Sequence, residues 1–243
     1  MISKKLDIII PVYNEGANII NTLNAISRYI NFDHNVYICY DFDGDTTIFS
    51  IEKSIHHKLI NKKIFFIKNK SHGAHSAVMT GISYSNSKFC VVLPADDDYN
   101  IINFPIILKI MSDKKIDILC PDRFMKGGKV VNGPFFKFLL AKAANLSLYY
   151  IANLPTKDAT NGFRFFSNRT IKDISIESKS GFTYSIEYLV KGISKNYKII
   201  SFPATWIERS IGKSRFRVIK WAKSYLKWYF IAIFNNLFRI HEK

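Results

Sequence analysis

Asp96, Asp97 and Asp98 stand together in the run Leu93-Pro94-Ala95-Asp96-Asp97-Asp98-Tyr99. Just before them, Phe89-Cys90-Val91-Val92 reads as a buried parallel strand. The carboxylates therefore crowd a strand's carboxyl end, where open α/β sheets bind ligands. Adjacent carboxylates repel one another unless a cation lies between them. Mg²⁺ or Mn²⁺ takes oxygen ligands and bridges to substrate phosphates. The chemistry to expect is a metal–diphosphate site. The bland alternative is a solvated acidic turn, and the rest of the chain has to decide.

Acids also follow two earlier strands. Leu6 to Val12 is a continuous apolar strand broken only by Asp7, and Pro11-Val12-Tyr13-Asn14-Glu15-Gly16 ends it. Val36 to Tyr40 is a second strand, ending in the loop Asp41-Phe42-Asp43-Gly44-Asp45-Thr46-Thr47. Helical spacing from Asn18 to Ile30 separates them. Ile64 to Ile67 is a third strand, and Gly73-Ala74-His75-Ser76-Ala77 opens a small-residue helix running to about Tyr84. Ile116 to Cys120 is a fifth strand. Strand and helix alternate, which predicts parallel strands joined by right-handed crossovers. Acids at three strand ends on one edge suit a nucleotide: a carboxylate accepts from a base N–H or a ribose hydroxyl, while a metal holds the diphosphate.

The 243 residues suit one α/β domain or one domain plus an appendage, and 48% hydrophobic residues can bury a large core. With 35 Lys and Arg against 19 Asp and Glu, the formal charge is +16, which points to a polyanionic partner. Nucleic acid fits poorly, because acids at three strand ends would repel a phosphate backbone. Cys39, Cys90 and Cys120 fit neither a zinc site nor a disulfide framework, so buried free thiols in a reducing cytosol are expected. Met1-Ile2-Ser3-Lys4-Lys5 leads straight into a strand without a signal-peptide pattern.

Taken together, Pro11 to Glu15, the Asp41 to Thr47 loop, Gly73 to Gly81 and Ala95-Asp96 resemble the inverting family-2 glycosyltransferases of GT-A fold. Later segments resemble its polyprenyl-phosphate branch, enzymes similar to dolichol-phosphate mannose synthase. These are Asp122-Arg123-Phe124-Met125-Lys126-Gly127-Gly128, Asp158-Ala159-Thr160-Asn161-Gly162-Phe163-Arg164, Phe182 to Glu187, and Glu208-Arg209-Ser210-Ile211-Gly212-Lys213-Ser214. The resemblance implies an α/β fold with a mostly parallel, Rossmann-like sheet flanked by helices and a C-terminal amphipathic helix. It divides the chain into a catalytic domain, 1–216, and an interfacial helix, 217–243.

It further implies that Pro11, Tyr13 and Glu15 meet the base and ribose, and that Asp41 meets the base. Asp43, Gly73, Ala95 and Asp97 join the donor site. Asp96 and Asp98 hold Mg²⁺ or Mn²⁺. Pro94 stands where the family has a first Asp, so Asp98 is the candidate either to replace that ligand or to orient the sugar. Tyr40 and His75 are further departures, His75 replacing a glycine. The implied acceptor is a polyprenyl monophosphate, mostly dianionic at neutral pH because its second pKa is about 6. It needs cations rather than a strong base. Arg123 and Arg209 are the leading cations, with Arg164, Lys213 and Arg215 expected at the acceptor phosphate. Gly212 suggests that the basic loop closes over both phosphates.

Phe135 to Ala152 and Val218 to Ile240 are too interrupted by polar residues for clean spanning helices. They read as interfacial, with Trp221, Tyr225, Trp228 and Tyr229 suited to a headgroup boundary. The alternative is packing on the domain or in an oligomer. Peripheral attachment to the cytoplasmic face of a membrane is the expectation. A carbohydrate acceptor is the competing reading, and it needs a base, with Asp158 or an Asp of the central cluster the place to look. A nucleotidyltransferase would need a triphosphate-cradling loop, and Gly73 to Gly81 makes a poor one.

Overall fold

The computed structural model describes residues 5–56, 63–133, 135–207 and 218–241. Its first half follows the expected alternation. Strands β1 (Leu6–Pro11), β2 (His34–Tyr40), β3 (Ile64–Lys68) and β4 (Phe89–Val92) alternate with helices α1 (Asn18–Tyr29), α2 (Thr46–His56) and α3 (Ala74–Tyr84). A 3₁₀ turn (Ile101–Asn103) and α4 (Phe104–Asp113) lead to β5 (Ile118–Asp122). Then come β6 (Lys129–Val131), α5 (Phe135–Tyr150), β7 (Arg164–Ser167), α6 (Asn168–Asp173) and α7 (Tyr184–Ser194). Strands β8 (Ile199–Pro203) and β9 (Thr205–Ile207) precede the long helix α8 (Val218–His241).

Seven strands form one sheet in the order β3-β2-β1-β4-β7-β5-β8, and β6 and β9 form a small second sheet. Side chains alternate across β1. Leu6, Ile8 and Ile10 join a core with Ile19, Leu23 and Ile26 of α1 and Ile107 and Met111 of α4. Ile9 joins the opposite core with Ala77 and Val78 of α3. Helices on both faces bury a parallel strand on both sides, which is why β1 and β4 read as continuous apolar runs. Gly81 lets α3 lie close on the sheet: an added Cβ would stand 2.3 Å from Ile9 Cγ2.

The large sheet is mostly parallel, as expected, with one exception. The strands are not parallel throughout, because β7 runs antiparallel to both β4 and β5. The segment between β5 and β7 begins and ends at the carboxyl edge of the sheet. A chain that re-enters from that edge must run backwards. The three cysteines are free and buried, as expected, and burial pushes the Cys39 thiol up to about 12.

Asp7 explains itself here. It is fully buried at the far end of β1. Its carboxylate accepts Asn35 Nδ2 (2.7 Å), both Oγ and N–H of Ser87 (2.8 and 2.9 Å), Ser85 Oγ (2.9 Å) and the Asn86 N–H (2.8 Å). It pins the turn between α3 and β4. Asp7→Asn turns an all-acceptor group into one that points donors at donors. We expect a loss of about 2 kcal/mol in chemical denaturation, with the site's own chemistry unaffected.

Helix α8 packs along α5 and α7. Trp228 and Ala232 are buried in the second core, and Ser147 and Tyr229 share a hydrogen bond of 2.7 Å. Lys227 reaches Glu177, which also pairs with Lys191 of α7. The outer face carries Leu226, Phe230 and Phe234, each about half exposed, and Leu139, Leu140, Tyr150 and Ile151 of α5 and its end are exposed as well. Among the described residues no helix is long and apolar enough to cross a membrane.

Candidate active site

The carboxyl edge of the large sheet gathers the residues of interest. β2, β1 and β4 are neighbours there. Two strand spacings put the β2 and β4 ends about 10 Å apart, a span suited to a nucleotide. Next along the edge come Arg164, which opens β7 opposite Val92, and Arg123, which follows β5. The edge passes from carboxylates to guanidiniums.

The acidic half is laced together by its own hydrogen bonds. Asp41 is buried; its carboxylate accepts Asn69 Nδ2 and the Gly73 N–H, both at 2.8 Å. Gly73 caps α3 at φ 98°, a conformation that favours glycine. Asp45 accepts the Asn14 N–H on both oxygens at 3.0 Å, and Thr47 Oγ1 accepts the Glu15 N–H at 2.9 Å. The loop after β1, with Pro11, Tyr13 and Glu15, is thereby fixed against the loop after β2. Tyr13 is 46% exposed, and its ring meets Phe42 edge-on at 5.6 Å. Asp43 lies outside this lacing, exposed and paired with Lys68. The His75 ring lies tilted against that of Tyr184 with centroids 6.4 Å apart, and burial holds its imidazole below the ordinary value.

At the centre, Ala95 is buried, and its carbonyl accepts Thr22 Oγ1 from α1 at 2.8 Å. Asp96, Asp97 and Asp98 follow at partial exposure. They are not equivalent. Asp97 turns inward and accepts Asn100 Nδ2 on both oxygens, at 2.9 and 2.7 Å. Burial pushes its carboxyl up to about 6; Asn100 pulls it down, and Asp96 and Asp98 push it further up. The expected donor contact from Asp97 gives way to this internal role. No group of three or more His, Cys, Asp or Glu is gathered for a metal among the described residues. Asp96 and Asp98 remain as two carboxylates on one loop. That donor set fits a hard cation that takes its other oxygens from a diphosphate and water.

The basic half is built around Asp122 and Asp158, both fully buried. Asp122 accepts the N–H groups of Phe124, Met125 and Lys157 and the Thr156 hydroxyl, at 2.8 to 3.0 Å. It thus draws together the loops after β5 and α5. Gly128 allows this closure, since a Cβ there would stand 2.5 Å from the Asp122 carbonyl oxygen. Asp158 takes Arg123 in a fork, Nε at 2.7 Å and Nη2 at 2.8 Å, and also accepts the Arg123 N–H at 3.0 Å. Burial alone would lower Arg123, but Asp158 and Asp122 outweigh it and hold the guanidinium charged. Its planar group lies near the rings of Phe124 (5.2 Å) and Trp206 (5.9 Å).

Two expectations change here. Arg164 does not face a phosphate. It is wholly buried, and its Nη2 donates to the carbonyls of Asp158, Ala159 and Asn161. It braces the loop that carries Asp158. Asp158, in turn, is no base in waiting, because its oxygens are occupied by Arg123 and sealed from solvent. Arg209, Lys213 and Arg215, with the expected closing loop, lie outside the described residues. Sequence reading missed Asn100 and Trp206. An Asn three residues after an Asp is a turn signal, but nothing local marks its distant partner.

The sequence model of Glycosyl transferase family 2 matches residues 7–176. The chain belongs to that family. This family 2 chain is 27% identical over 217 residues to a dolichol-phosphate mannosyltransferase of Pyrococcus furiosus, a match covering 88% of the chain and 59% of that protein. It is also 26% identical over 105 residues to a polyprenol monophosphomannose synthase of Mycolicibacterium smegmatis, covering 42% of the chain and 40% of the relative. The chain thus spans less than two thirds of these relatives. Among solved structures, it resembles glucosyl-3-phosphoglycerate synthase from Mycobacterium tuberculosis in complex with Mn²⁺, UDP-glucose and phosphoglyceric acid. The TM-score is 0.66 at 13% identity, covering 95% of this chain and 80% of that one. That likeness is one of fold, GT-A in type.

Proposed function

We propose that this family 2 chain transfers a sugar, with inversion, from a UDP or GDP donor to a polyprenyl phosphate. The observation that carries the reading is the division of one sheet edge into an acidic half and a preorganised guanidinium. The laced loops of Tyr13, Glu15 and Asp41 receive the nucleoside. Mg²⁺ or Mn²⁺ on Asp96 and Asp98 supplies positive charge to the diphosphate when bound. Arg123, oriented by Asp158 and flanked by Trp206, holds the acceptor phosphate. An oxygen of that phosphate attacks the anomeric carbon as the bond to the nucleoside diphosphate breaks. The dianion needs no base, which agrees with Asp158 being engaged elsewhere. A carbohydrate acceptor would need one, and the buried Arg123–Asp158 pair speaks against the obvious candidate.

The same proposal places the protein peripherally on the cytoplasmic face of a membrane. The half-exposed Leu226, Phe230 and Phe234 form one stripe of α8, and neither α5 nor α8 contains an acidic residue. A Phe230→Ser, Phe234→Ser variant should lose about tenfold in binding to anionic vesicles in co-sedimentation, since two exposed rings that lipid would bury are forfeited. Unchanged binding would remove this face from the proposal. For the reaction itself, UDP- and GDP-sugars are screened with polyprenyl phosphate and Mn²⁺ or Mg²⁺. Labelled sugar should partition into organic solvent, and product confined to the aqueous phase would favour a carbohydrate acceptor.

A further inference from the structure

The loop bearing Asp96 and Asp98 is tied to a strand more than one hundred residues away. Asn100 is 5% exposed and makes the tie. Its Nδ2 donates to the Thr205 carbonyl at 2.7 Å, and its Oδ1 accepts the Thr205 N–H at 3.0 Å. The side-chain amide thus copies a backbone rung on one edge of β9, whose other edge pairs with β6. The same Nδ2 holds both oxygens of Asp97, and the Asn100 N–H adds a bond to Asp97 Oδ1 at 3.0 Å. On the far side, the residue after Thr205 is Trp206, whose ring lies 5.9 Å from the Arg123 guanidinium. A single amide therefore stands between the acids of one half and the cation of the other.

We propose that Asn100 is a positioning residue that fixes the separation between the Asp96–Asp98 loop and Arg123. This rests on the donor and acceptor reading given above. Few other side chains could serve. Both donor and acceptor are needed on one planar group, and only an amide of this length meets Thr205 like a peptide while reaching Asp97. Asn100 contacts neither reactant; it acts through Asp97 on one side and Trp206 on the other. Displacement of reacting groups by a fraction of an ångström is costly when attack demands alignment.

The test has a structural and a kinetic arm. In the free protein, Asn100→Ala should speed amide exchange at Thr205 and Trp206 by about tenfold, since one net hydrogen bond of protection is lost. Unchanged exchange there overturns the tie, whatever nucleotides bind. Thr205→Ala serves as the control and should leave exchange and turnover as they are, because only the Thr205 backbone is used. In the kinetic arm, Asn100→Ala should lower kcat and raise the acceptor KM, and its loss should not multiply with that of Trp206→Leu. Multiplicative losses would mean that the two residues act separately, and the coupling would fall. If Asn100→Ala does not fold, Asn100→Asp keeps the acceptor for Thr205 N–H and removes the side-chain donations to Thr205 and Asp97. A wild-type protein that transfers nothing to polyprenyl phosphate would sink the functional reading instead, while the exchange arm still decides the tie.

Discussion

Asp96→Ala should reduce sugar transfer by about 10³-fold while leaving the melting temperature within a degree or two of wild type. The expected loss is the several kcal/mol that a bound cation contributes to a departing diphosphate. Folding should survive because Asp96 is partly exposed on its loop and its neighbours also anchor that loop. Ala95 is fastened to Thr22, and Asp97 to Asn100. Asp98→Ala should be less severe if Asp98 only supplements Asp96. Isothermal titration of UDP or GDP with and without Mn²⁺ separates the roles. Wild type should bind better with metal, and Asp96→Ala should lose that gain. Equal metal enhancement in both proteins would remove Asp96 from the site.

Asp158→Ala should be the most damaging single change in the basic half. It leaves Arg123 charged, largely enclosed and without its fork partner. Removing one member of a buried pair costs about 3–5 kcal/mol. For a domain of this size that lowers the melting point by roughly 10 °C. Asp158→Asn is the more informative companion, since it keeps the shape and weakens the pairing. With Arg123 as the acceptor's cation, Asp158→Asn should raise the acceptor KM and preserve the shape of the pH–rate profile. If Asp158 were a general base, the acidic limb of that profile would vanish. Calorimetry and a pH series on the two variants decide between these outcomes.

The acidic half of the site was legible in the sequence for a physical reason. Each of β1, β2 and β4 is a short apolar run that stops at polar residues, so strand and ligand-facing loop announce each other. The basic half was much less so. Arg164 and Arg123 are the same residue type, each in a segment that resembles the family, yet one braces a loop from inside and the other stands at the cleft. Only the burial of the 158–161 carbonyls separates them. Likewise, three consecutive Asp residues carry no mark of which turns inward. That depends on Asn100, which depends on Thr205, and pairings at such separation leave no local pattern. The antiparallel β7 was hidden for a related reason: four residues beginning with Arg do not reveal direction, which is set by the edge from which the chain returns.

That reversed strand has a consequence for how the protein is made. β4 and β5 are separated by β7, which emerges from the ribosome about forty residues after β5. Until then Phe89-Cys90-Val91-Val92, already paired with β1 on one side, presents its other side as a bare seam on the growing polypeptide. The arrival of Arg164-Phe165-Phe166-Ser167 is what zips the two halves of the barrel-less sheet into one body. A chain halted short of that point would keep an adhesive margin of the kind that chaperones cover.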